Sequence, residues 1–199
     1  RHMLLLYDGR VVRDYSLGGF NLSEYSPAEF DRVELVKGPQ SAFYGSDALG
    51  GVVNLVPKST LFDRIDFSSQ IGSLAYRRHR VEASQKFGQI GIGGWGEMMN
   101  ADNARPNSGV DQESFGFRAD LLSNDARHHA HLSARSFSDS VGSPGPVPAS
   151  GEFPSLGNER VMSLYDHQKD KNRSFDAHYD WRPSSTVDVR FDAFFDRKT

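Results

Sequence analysis

The sequence predicts a mainly β protein, with a short mixed α+β segment followed by about seven antiparallel strands of a membrane β-barrel. Three observations carry that expectation. After Pro57-Lys58 one pattern repeats, ten to thirteen residues of apolar/polar alternation and then a polar break. The breaks are tight at one end of the strands and longer at the other. The strands are long enough to cross a bilayer: about 11 residues at ~3.3 Å rise, tilted by ~40°, cover ~28 Å, close to the ~25 Å apolar band of such barrels.

The first segment divides into short elements. Leu4 to Tyr7 and Arg10 to Val12 flank Asp8-Gly9, the signature of a type I′ hairpin turn. Residues 13–23 read as a loop. Ser26-Pro27-Ala28-Glu29 has the form of a capping box with proline at the first helical position, so a helical turn is expected there. Arg32 to Val36 alternates as a strand and ends at Lys37-Gly38-Pro39. Pro39 to Tyr44 forms one helical turn with Gly45 as its left-handed stop. Val52 to Val56 is a strand closed by Pro57.

The second segment is strand after strand. In 185–196, odd positions read Ser, Val, Val, Phe, Ala, Phe, and even positions read Thr, Asp, Arg, Asp, Phe, Asp. In 175–181, Phe175, Ala177, Tyr179 and Trp181 oppose Asp176, His178 and Asp180. Phe115, Phe117, Ala119 and Leu121 oppose Gly116, Arg118 and Asp120. Ala130, Leu132 and Ala134 oppose His129, His131, Ser133 and Arg135. Weaker alternation fills 62–72, 76–87 and 89–99. Short links fall at Gly88, 124–127 and 182–185. On the other side lie 72–74, about 100–112 and about 138–172, the last rich in Pro and Gly. Tyr76, Phe87, Phe137, Phe175, Trp181 and Phe195 stand near strand ends, where an interfacial girdle is expected. Alternation alone also fits a soluble β-sandwich or β-helix, so a soluble carbohydrate-binding β-protein is kept as an alternative.

Composition narrows the function classes. The net charge of −3 (23 basic and 26 acidic residues) weighs against nucleic-acid binding driven by bulk charge. Without cysteine there is no thiolate metal site, thiol nucleophile or disulfide. No run of 18 apolar residues exists, and residues 1–20 lack signal-peptide character. Nucleophile-elbow, zincin and phosphate-loop motifs are absent, so no enzyme and no catalytic residue is assigned.

Residues 31–58, DRVELVKGPQSAFYGSDALGGVVNLVPK, resemble the end of the plug domain in TonB-dependent outer-membrane receptors. That family's pattern runs roughly (I/V)-E-(V/I)-(V/L)-(K/R)-G-P-x-S-x-x-Y-G-x-x-A-(I/L)-G-G-V-(I/V)-N-(I/L). Leu4 to Val12 resembles the family's hairpin, and Ser26 to Glu34 its approach to the motif. Gly38, Pro39, Ser41, Tyr44, Gly45, Gly50, Gly51 and Asn54 are expected to act structurally. Gly38 allows the strand-to-helix turn, the other glycines allow left-handed or close backbone, and Tyr44 packs its ring while its hydroxyl finds a partner.

The resemblance divides the chain into the C-terminal half of a plug domain (1–58) and the N-terminal portion of an outer-membrane barrel (59–199). It implies a barrel of roughly 22 strands around a plug, in the outer membrane of a Gram-negative bacterium and surrounded by its lipid. It also implies energy-coupled uptake of a scarce small-molecule ligand, driven by the TonB–ExbB–ExbD complex through a TonB box absent from this chain. About seven strands fall short of such a barrel, and the expectation is a fragment. A passive porin or adhesin barrel and a non-functional truncated gene product are the alternatives.

Ligand contact is expected from a plug apical loop, at Tyr15, Ser16, Leu17 and Phe20. Asp139, Asp166 and Asp170, with Asp176 nearby, are candidates for Ca²⁺ at the base of the long loop, since Ca²⁺ takes six to eight oxygens. Cobalamin receptors loosely resemble this chain in pairing a Pro/Gly-rich loop with such acids, so the expectation leans to cobalamin over a ferric siderophore. No other cofactor is expected. His129 and His131 share a face and His128 does not, which favours polar lumen lining over a metal site. Arg77-Arg78-His79-Arg80 reads as a charge run near the outer rim, solvated or facing anions.

Overall fold

The computed structural model describes residues 3–12, 21–45, 48–145, 163 and 165–199. It contains two sheets. The first, from residues 3–57, has the strand order β2-β1-β4-β3; the second is a seven-stranded meander, β5 to β11.

In the first sheet, β1 (Met3–Tyr7) is a continuous apolar run because it is covered on both faces. It pairs in parallel with β4 (Gly51–Pro57) and antiparallel with β2 (Arg10–Val12). Leu4, Leu6, Ala48 and Val52 pack on one side, and Leu5, Tyr7, Tyr25 and Leu55 on the other. The Asp8-Gly9 turn has positive φ at both residues, 51° and 83°, as the type I′ signature requires. β3 (Phe30–Lys37) closes the other edge against β4.

The plug motif shapes the β3–β4 connection. Gly38 takes φ 93°, which a side-chain-bearing residue rarely adopts. At Gly51 a Cβ would lie 2.4 Å from the Val36 carbonyl oxygen. The helical turn α1 (Ser41–Tyr44) begins two residues later than the sequence suggested, with Gln40 rather than Pro39 leading into it. Gly45 has φ 82° and ψ −172°, so it stops the turn with a positive φ but outside the left-handed helical region. Tyr44 remains 40% exposed, so its ring is only half packed. Asn54 ties two elements together: its Oδ1 accepts from the Gly9 amide (3.0 Å) and its Nδ2 donates to Glu34 (3.0 Å).

The meander comprises β5 (Arg64–Ile71), β6 (Arg77–Phe87), β7 (Ile90–Ala101), β8 (Val110–Leu122), β9 (His128–Gly142), β10 (His167–Ser184) and β11 (Val187–Lys198). Every neighbouring pair is antiparallel. The expected seven strands are present, with short links at 88–89, 123–127 and 185–186 on one end. The strands at the long-loop end run further than expected. Residues 138–142 and 167–172, read as loop, continue the β9–β10 ladder, with Asp139 opposite Asp170. Their polar sequence hid them, because a strand beyond the apolar band has no reason to alternate.

Side-chain alternation gives the meander an inner face, toward the first sheet, and an outer face. Ile65, Phe67, Phe115, Phe117, Leu132, Phe175, Phe191 and Phe195 are exposed on the outer face. The inner face is polar: Glu82, Glu97, Asp120, His131, Asn172, Asp176, His178 and Asp180 are buried there. Phe137 shares the inward parity of His129 to Arg135 and is buried, so it is not a girdle residue. Arg78 and Arg80 also point inward, each 2.8 Å from Glu97, so this half of the charge run is paired rather than solvated.

The link from β4 to β5 crosses the inner face over the glycines of β7. A Cβ at Gly91 would stand 2.2 Å from the Thr60 carbonyl oxygen, whereas one at Gly96, on the outer face, would meet nothing nearer than 3.8 Å. Gly91→Val should therefore lower stability by about 1–3 kcal/mol or more, since backbone must shift. Gly96→Ala should stay within about 0.5 kcal/mol. Urea unfolding midpoints of the protein in micelles measure both.

Candidate functional site: the junction between the two sheets

The junction is built from charges of both signs, and Arg135 of β9 stands at its centre. Its guanidinium lies over the rings of Tyr7 (4.7 Å) and Tyr25 (4.4 Å), two residues of the first sheet's inner cluster. One Nη donates to Ser174 (3.1 Å) and to the Tyr25 hydroxyl (3.4 Å); the other is 3.9 Å from the Glu29 carboxylate. Tyr7 donates its hydroxyl to Glu29 at 2.5 Å.

Glu29 is the residue that sequence reasoning misplaced. The capping box does not form. Ser26 Oγ accepts from the Ala28 amide (3.1 Å) and the Ser26 carbonyl from the Glu29 amide (3.0 Å), which makes a turn rather than a helix. The Glu29 side chain is thereby free to face the wall. Burial raises its pKa above the ordinary carboxylate value, and Arg135 and the Tyr7 hydrogen bond offset only part of that. Burial also pushes the Tyr7 and Tyr25 phenols up, so both stay protonated.

Around this centre lie further pairs between the sheets. Arg10 of β2 meets Asp176 (2.7 Å) and Asp196 (3.0 Å) and lies over the Phe194 ring (4.2 Å). Glu24 accepts from Asn172 (2.8 Å) and Lys198 (2.6 Å). Asp8 at the hairpin tip is 3.2 Å from His131 and 3.6 Å from Arg118. Lys58 pairs with Glu82. The Thr60 amide (2.9 Å) and hydroxyl (2.7 Å) both donate to Asp120. These contacts hold the two sheets and the link between them together.

The expected ligand loop, with Tyr15, Ser16, Leu17 and Phe20, lies outside the described residues. Of the acidic candidates, Asp139 and Asp170 face each other across the β9–β10 ladder, the Asp139 carboxylate accepting from the Asp170 amide (3.1 Å). Asp166 sits at the loop base, where its carbonyl accepts from Asn107 (2.8 Å) and the Ser143 amide (2.8 Å). His128 points to the outer face, bonded to the Tyr179 hydroxyl (2.8 Å), as its parity predicted. The other two histidines lie on the inner face with His178, whose ring stacks on His131 at 4.7 Å.

A small mixed sheet seated on the polar inner face of a long-stranded meander, with an apolar outer face, defines a plugged membrane barrel wall. Residues 1–52 match the TonB-dependent Receptor Plug Domain. The siderophore receptor PiuA from Acinetobacter baumannii superposes with a TM-score of 0.78 at 16% identity, over 98% of this chain and 29% of that one. The ferric-catecholate import receptor Fiu from E. coli K12 gives 0.81 at 15%, over 98% and 31%. The ferric citrate transporter FecA gives 0.78 at 15%, over 99% and 31%. The chain thus spans about three-tenths of the length of these proteins. Residues 1–52 thus carry the plug domain expected from residues 31–58, and the chain as a whole has the fold of the plug end and adjoining barrel strands of these receptors.

The buried carboxylate gives the junction a pH dependence of definite sign. With its folded pKa raised, Glu29 binds more proton in the folded than in the unfolded state at pH values between its two pKa values. The stability it supports is therefore full below the ordinary glutamate value and is lost as pH rises through the raised one. Within that window the loss is up to about 1.4 kcal/mol per pH unit. Glu29→Gln should flatten this part of the receptor's stability profile, measured as the thermal midpoint against pH in micelles.

Proposed function

We propose that this chain is part of a TonB-dependent transporter that takes up a scarce, iron-loaded chelate of the siderophore or citrate type across the outer membrane. The observation that carries the proposal is the plug sheet seated on a polar, ion-paired wall. An inner face bonded in this way closes the lumen, which weighs against a passive porin. Contacts of this kind also suit a domain that must shift. Water can replace ion pairs and hydrogen bonds when the sheets part, whereas a shared apolar core would resist separation.

The names of the structural neighbours, siderophore and ferric citrate receptors, support an iron chelate as ligand. The lean toward cobalamin rested on a loose loop resemblance and gains no such support. Under this reading residues 1–58 belong to the plug and 59–199 to the barrel. Tyr15, Ser16, Leu17 and Phe20 contact the ligand at the outer face. The TonB complex supplies the work, so the chain itself performs no chemistry. Ca²⁺ at Asp139, Asp166 and Asp170 would brace the long loop.

Uptake of radiolabelled iron, presented as a panel of chelates to cells expressing the receptor, tests the reading. One chelate should enter at a rate that falls to background when TonB is deleted. Entry that persists without TonB would favour diffusion. Tyr15→Ala/Phe20→Ala should weaken binding of that chelate at least tenfold; unchanged affinity would remove these residues from the site.

A further inference from the structure

The inner face carries one group of side chains that plug docking alone does not require. Asp120 of β8 and His129 and His131 of β9 bring a carboxylate oxygen and two ring nitrogens within 4.8 Å of one another. The ladder accounts for it: Asp120 stands directly opposite His131, and His129 is two residues along on the same face. From the other sheet, Asp8 Oδ2 reaches His131 Nε2 at 3.2 Å without joining the three grouped donors, so it bonds that ring from outside the cluster. On the opposite side, His129 Nε2 is 3.5 Å from Asp120 Oδ1. Metal–ligand bonds of about 2.0–2.2 Å in tetrahedral array separate neighbouring donors by roughly 3.3–3.6 Å. The His129–Asp120 separation lies within that range.

Two further features point to a ligand. His131 is only 3% exposed, yet its Nδ1 has no hydrogen-bond partner among the described residues, a rare condition for a buried ring nitrogen. The cluster also opens onto a cavity of about 570 Å³ lined in addition by His178, Asp180 and Arg190, which gives an ion a way in. Two imidazoles and one carboxylate suit zinc and its neighbours in the first transition row; Ca²⁺ would want more oxygens than are present. One group opposes the ion: Arg118 holds Asp120 at 3.0 Å and approaches Asp8 at 3.6 Å.

We propose that Asp120, His129 and His131 of the barrel wall form a site for a divalent transition-metal ion of the zinc class, and that Asp8 of the plug hairpin, bonded to His131, orients that ring and ties the hairpin tip to the site. The ion displaces the Arg118 guanidinium from Asp120, so arginine and metal are alternative counter-charges for that acid. The site does not depend on what the receptor transports.

The test uses the receptor isolated from outer membranes in detergent micelles. Zn²⁺ is followed by titration calorimetry, and Co²⁺ by the visible absorption of a four-coordinate ion. One equivalent of Zn²⁺ should bind. His129→Ala and His131→Ala should weaken it at least tenfold and abolish the Co²⁺ band, and Arg118→Gln should tighten it. His167→Ala, far from the cluster, should change nothing. Asp8→Asn keeps a residue tolerant of positive φ in the turn and should weaken binding severalfold. It carries the test if the histidine variants lose the heat-modifiable migration of a folded barrel. Absence of saturable binding in both wild type and Arg118→Gln would overturn the site. So would histidine variants that bind as wild type does. Unchanged affinity in Asp8→Asn would overturn the bridge between the sheets.

Discussion

The position of one guanidinium organises this molecule. Arg135 leaves the barrel wall and is received between two tyrosine rings and a carboxylate of the plug sheet. An arginine buried without partners would cost several kcal/mol, and a glutamate likewise. Each is tolerable only because the other sheet supplies its partner. The wall strands fix Arg135, the plug turn at Ser26 fixes Glu29, and β1 fixes Tyr7. Plug and wall are thus mutually required, though the plug sheet has apolar clusters of its own.

This arrangement explains why the inner face is mostly polar. Apolar burial alone does not distinguish one register of two docked sheets from another. Ion pairs do distinguish. Arg10 fits only where Asp176 and Asp196 flank it, and Asp8 only where His131 and Arg118 meet its turn. Each pair is desolvated and contributes little net stability, but a mismatched docking would strand charges on both sides. The outer face obeys the opposite rule, presenting Phe115, Phe117, Phe175 and Phe191 because its surroundings offer no hydrogen bonds.

Much of the fold was legible in the sequence for physical reasons. The period-two pattern in 187–195 and 175–181 is a direct consequence of a wall with one polar and one apolar side. Asp8-Gly9 could make only one kind of turn. The motif of residues 38–54 is specific because positive φ and close backbone approach admit few residues. Less of the junction was legible. Arg135 and Tyr25 are 110 residues apart, and nothing in either local sequence announces the other. Glu29 carried a misleading local signal, since the same Ser-x-x-Glu spacing that caps a helix here serves a turn. The ends of β9 and β10 were lost because alternation fades where strands leave the apolar band. The parity argument that would have placed Phe137 inside was available from His129 onward.

Amide hydrogen exchange on the receptor with Arg135→Met tests the central dependence most directly. Methionine fills much of the arginine's volume but leaves Glu29 without its counter-charge. The account predicts that protection falls across β1 to β4 while the ladders of β5 to β11 keep theirs. Plug protection equal to wild type would contradict it, and would mean that the plug is held by its apolar clusters and not by the charges of the wall.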